Sequence, residues 1–94
     1  MITITMHRDK KHRYTGFTIS GHADYDEAGS DIVCAAVSAL SQTALLGLMQ
    51  YASQDVPYEV NDGFLSVQVP KPCEASQIIL GTMVAGLEQI VRQY

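Results

Sequence analysis

A histidine and a cysteine twelve positions apart carry the most chemistry in this chain. Gly21-His22-Ala23 is followed by Asp24-Tyr25-Asp26-Glu27-Ala28-Gly29-Ser30, and Asp31-Ile32-Val33-Cys34 then opens a long apolar segment. A thiol at the start of a helix lies where unpaired backbone N–H groups and the positive end of the dipole favour an anion. A histidine arriving from a glycine-bounded loop can form an ion pair with that thiolate and later protonate a leaving amine. This pattern predicts a cysteine hydrolase with Cys34 as nucleophile and His22 as its acid–base partner.

The surrounding residues each admit two roles. Asp31 is either a first-turn carboxylate accepting helix N–H bonds or the group that orients His22; in the second case Ser30 takes the cap. Ser38, one turn beyond Cys34, donates to thiolate or substrate, or bonds back to a helix carbonyl. Gly21 and Gly29 bracket the loop as hinges that admit a peptide, or as ordinary turn residues. Cys73 also stands near a helix start, but no histidine closely precedes it, and it is expected to be a bystander. His7 and His12 belong to the first hairpin and are assigned no role. His22, Cys34 and the nearby aspartates lack the spacing of a metal site, so no metal is expected.

These side chains need elements to place them. Ile2, Ile4 and Met6 alternate with Thr3 and Thr5, the period of a half-buried strand, and Tyr14 to Ser20 forms its hairpin partner with Phe17 and Ile19 on one face. Residues 21–30 read as an irregular, mobile loop. A helix from Asp31 to Gln54 follows, its buried face made by Val33, Val37, Leu40, Ala44 and Leu48. Cys34, Ser38, Ser41 and Leu45 form a neighbouring stripe with room for a ligand alongside. Asn61-Asp62-Gly63 between Tyr58–Val60 and Phe64–Val69 is a hairpin signal. Pro70 and Pro72 end that segment, and a final helix runs roughly from Cys73 to Tyr94. The order ββαββα predicts an α+β two-layer sandwich: a four-stranded, largely antiparallel sheet with two helices on one face.

Composition narrows the function further. The 94 residues, 47% hydrophobic and without Trp, suit one globular domain over residues 1–94. A net charge of −4 offers no footprint for nucleic acid. The only basic run, Arg8 to Arg13, reads as a solvated turn. Ser38, Ser41, Gln42, Thr43 and Gln50 interrupt the long helix, so no membrane span is expected. The two cysteines form no disulfide framework, and no signal peptide is apparent; the expected location is the cytoplasm.

Gly21-His22-Ala23, Gly29, Asp31-Ile32-Val33-Cys34 and Ser38, arranged as GHA…G-x-D-x-V-C-x-x-x-S, resemble the bacterial ribosomal-processing cysteine proteases, the family called Prp. The resemblance extends through the ββαββα order to essentially the whole chain. It implies removal of an N-terminal extension from a large-subunit ribosomal protein, the twenty-seventh by name, with the cut after an aromatic residue. It also implies a His22–Cys34 dyad, no cofactor, and a homodimer. Gly21, Asp31 and Ser38 match further motif positions, whereas Cys73 matches none. The alternative from another class is a non-catalytic ribosome-assembly or peptide-binding module, in which Cys34 is merely a small side chain.

Overall fold

The alternation at the N-terminus becomes strand β1 (Thr3–Arg8), which returns through a charged turn into β2 (Tyr14–Ser20). The Asp9 carboxylate organises that turn by accepting from the main-chain N–H groups of Lys11 and Arg13, while His12 takes a left-handed conformation at φ 65°. The computed structural model describes residues 2–21 and 30–93 and, for Ser30 and Asp31, the backbone only. Helix α1 (Ser30–Tyr51) is followed by β3 (Tyr58–Asn61), β4 (Phe64–Gln68) and α2 (Glu74–Gln93).

The strands form one antiparallel four-stranded sheet in the order β1-β2-β4-β3. Register lines up the apolar rows. Met6, Phe17 and Val67 are cross-strand neighbours, as are Ile4, Ile19 and Leu65. Phe17, Ile19, Leu65 and Val67 are buried with Val37, Leu48, Leu80 and Met83 of the helices, so both helices cover the same face. The expected ββαββα sandwich is the observed fold.

The helices cross through glycines. Gly47 faces Ile79 and Gly86 faces Leu40, and the pairing runs in opposite directions along the two helices, which makes them antiparallel. Gln77 anchors α2 to the sheet. Its Oε1 accepts from the Tyr14 N–H at 2.7 Å and its Nε2 donates to the Tyr14 carbonyl at 2.8 Å. Gln54 makes the same pair of hydrogen bonds with Lys71, accepting from its N–H at 2.9 Å and donating to its carbonyl at 2.7 Å, and so ties the chain after α1 to the segment before α2.

By length and composition Ile32–Tyr51 of α1 could cross a membrane, with mean hydropathy 1.9. Val37, Ala44, Leu45 and Leu48 bury one face of it. Ile32, Leu46 and Met49 remain exposed on α1, as do Tyr58 and Val60 on β3, whose register would place them in the inner rows. The helical layer leaves this edge of the sheet uncovered. Exposed apolar surface therefore concentrates on α1 and β3 more than on α2, which shows only Ile78 and Val91.

Candidate active site

Cys34 lies near the start of α1, where the helix passes over one end of the sheet. That end is formed by the start of β1, the end of β2 and the turn joining β3 to β4. Between helix and sheet end is an open cleft of about 320 Å³. Its floor is apolar, formed by Ile2, Ile19, Val37 and Leu65. Cys34, Ser38 and Gln42 line the helix side, and Asn61, Asp62 and Gly63 line the turn side. Gly21 lies at the edge of the same cleft.

The local chemistry explains this shape. The Gly21 N–H donates to the Gly63 carbonyl at 2.9 Å, extending the β2–β4 ladder one step beyond the Ser20–Phe64 pair. Both glycines have positive φ, 98° and 72°, which a residue with Cβ adopts only under strain. The turn is thereby fixed to the start of the segment that carries His22. Asn61 adds a side-chain bond to the Glu59 carboxylate at 3.0 Å.

Three sequence expectations gather in this cleft: Gly21, Cys34 and Ser38. His22 and Gly29 lie outside the described residues, as does the Asp31 side chain. Ser30 already has helical backbone, so it lies within α1 rather than ahead of it, and Cys34 becomes the fifth helical residue instead of a member of the first turn. The expected open stripe is also corrected. Ser41, with 2% of its surface exposed, and Leu45 are buried in the core. The Ser41 hydroxyl donates to the Val37 carbonyl at 2.8 Å. The cleft instead follows the i, i+4 ridge Cys34–Ser38–Gln42.

Gln42 and the 61–63 turn were missed as site residues by sequence reasoning. In the sequence Gln42 is a polar interruption of an apolar helix, and its position eight after Cys34 is the signal that could place it at the site. The Asn-Asp-Gly turn was legible as a hairpin, but nothing in the sequence places it opposite Cys34.

Cys73 sits elsewhere. It precedes α2, its N–H donates to Ser76 Oγ at 2.9 Å, and its Sγ approaches the Ala52 carbonyl at 3.8 Å. The Ser76 main-chain N–H, followed by its hydroxyl, holds the Cys73 thiol below its usual range. Because Ala52 directly follows α1, seventeen helical steps of about 1.5 Å put the Cys73 end of the helix roughly 25 Å from Cys34. That is several times the reach of a disulfide, so Cys73 cannot resolve an oxidised Cys34 in this fold. His7 bonds Thr18 across the first two strands at 2.9 Å, and His12 lies in the turn at the opposite end of the sheet from Cys34. Among the described residues no cluster of His, Cys, Asp and Glu could hold a metal.

The family described as cysteine protease Prp matches the chain over residues 1–94. A ribosomal processing cysteine protease Prp of Staphylococcus aureus strain Mu50 is 35% identical over 98 residues, covering 100% of this chain and 92% of the relative. The solved structure of an essential ribosomal processing protease Prp from S. aureus, in complex with a covalently linked product peptide, superposes with a TM-score of 0.87. Its identity is 30%, covering 100% of this chain and 92% of that one. A second S. aureus structure, in complex with a substrate peptide, gives a TM-score of 0.84 at 27% identity with the same coverage.

Proposed function

The chain belongs to the cysteine protease Prp family, and from that premise we propose that it is a cysteine endopeptidase acting on an N-terminal extension of the twenty-seventh large-subunit ribosomal protein. In this reading the cut follows an aromatic residue, and Cys34 and His22 form the catalytic dyad. The observation that carries it is the position of Cys34 on an open cleft at the sheet end, apolar in its floor and polar on both rims. Such a cleft suits an extended peptide, whose side chains alternate between floor and solvent while its main chain meets the rims.

The steps balance with the chain's own groups. The Cys34 thiolate attacks the carbonyl carbon after the aromatic residue, forming a C–S bond. Collapse of the tetrahedral species breaks the C–N bond, and the His22 imidazolium gives its proton to the departing amine. Water, deprotonated by the now neutral imidazole, hydrolyses the thioester and returns the thiolate and imidazolium. Backbone N–H groups near the start of α1 suit stabilisation of the oxyanion. Asp31 and Ser38 support the dyad, and Gly21 and Gly29 bound the segment that closes over substrate. The enzyme works without metal or cofactor, in the cytoplasm, as a homodimer; the exposed apolar residues of α1 and β3 favour a covering subunit.

The test is mass spectrometry of a synthetic peptide spanning the extension and the cut site. Wild-type protein is expected to give one cut after the aromatic residue, and Cys34→Ala and His22→Ala none. Near-normal cleavage by either variant rejects the dyad. Tight binding without cleavage by the wild type would favour a peptide-binding module instead.

A further inference from the structure

Gln42 lines the cleft two helical turns beyond Cys34, on the same i, i+4 ridge, and its residue is exposed. Among the described residues its carboxamide has no hydrogen-bond partner. A carboxamide carries a donor and an acceptor side by side, which is what one residue of an extended main chain presents in return. This molecule already uses that match twice: Gln77 holds the N–H and carbonyl of Tyr14, and Gln54 holds those of Lys71. In both cases the residue held lies outside helical backbone, as a bound extended peptide would.

We infer that Gln42 is a substrate-binding residue that grips the substrate main chain through the same paired hydrogen bonds. This rests on the proposed peptidase reading and adds to it a minimum length of bound peptide. Eight helical positions separate Gln42 from Cys34 by about 12 Å, at roughly 1.5 Å per residue. An extended peptide covers that distance in about three or four residues at roughly 3.3 Å each. Gln42 therefore needs a peptide that extends at least about three or four residues from the cut, whatever its side chains, while Asn61 and Asp62 bound the cleft opposite.

The experiment compares wild type with Gln42→Leu, which keeps the side-chain volume and removes both bonds. The substrates are the synthetic cleavage peptide and a series of it N-methylated at one backbone nitrogen at a time. Gln42→Leu should raise KM about tenfold with kcat within about twofold, the scale of two neutral hydrogen bonds. At one nitrogen, about three or four residues from the cut, N-methylation should impair wild type but not Gln42→Leu. Equal N-methylation penalties for both proteins at every position overturn the inference, as does an unchanged KM for Gln42→Leu. A wild type that leaves the unmodified peptide uncut overturns the peptidase reading itself, and Gln42's role with it.

Discussion

The paired bond between Gln77 and Tyr14 is the main polar link between α2 and the sheet, and it can be removed cleanly. Gln77→Leu keeps nearly the same volume, so little cavity is created, while both bonds to Tyr14, at 2.7 and 2.8 Å, and a longer one to the Ser76 hydroxyl, at 3.3 Å, are lost. A neutral intramolecular hydrogen bond contributes about 1 kcal/mol net, since water offers an alternative partner in the unfolded chain. Tyr14 is half-buried, so water replaces the lost partner only in part. The expected loss is therefore about 2 kcal/mol, equivalent to a fall in Tm of about 8–16 °C for a domain of this size. Urea unfolding followed by far-UV circular dichroism measures it, with an unchanged slope expected because the exposed area hardly changes. Gln50→Leu, at an exposed position on α1, is the control and should stay within about 0.5 kcal/mol. If Gln77→Leu behaves like that control, paired carboxamide bonds contribute nothing here. The precedent invoked for Gln42 would then fall with them.

Three further outcomes follow from the same structure. Gly16→Ala should destabilise by about 1–3 kcal/mol from backbone strain alone, because φ is +153°; the new Cβ would also overlap the Val67 carbonyl oxygen, and urea unfolding reads the sum. The Arg13 main-chain N–H, with the Arg13 side chain and the Lys11 N–H, holds the Asp9 carboxyl below its ordinary 3.8 despite an opposing desolvation effect. A depressed folded-state value means its stabilisation is present above 3.8 and disappears as pH falls through the folded carboxyl's own titration. The stability gap between wild type and Asp9→Asn, followed by thermal melts, should therefore hold at neutral pH and close on acidification below 3.8. Cys73→Ser should leave peptide cleavage by mass spectrometry within about twofold of wild type, because Cys73 lies at the opposite end of α1 from the cleft.

Local order could be read from the chain alone. Alternation in residues 2–7, the Asn-Asp-Gly turn and the helical periods lead to the observed elements within a residue or a few, because each is set by neighbours a few positions away. The motif around Cys34 likewise pointed to the protease family that the full-length match shows. The tertiary structure decided which face of α1 stays open. Positions 41 and 42 are both one turn from Ser38, and helical periodicity ranks neither. Packing against the sheet buried Ser41 and Leu45 and left Gln42 beside the cleft. It also brought the 61–63 turn opposite Cys34, a pairing across some thirty residues that rests on the β2–β4 register and the Gly21–Gly63 bond. Such long-range choices depend on which surfaces are buried together, and that is a property of the assembled core rather than of any segment within it.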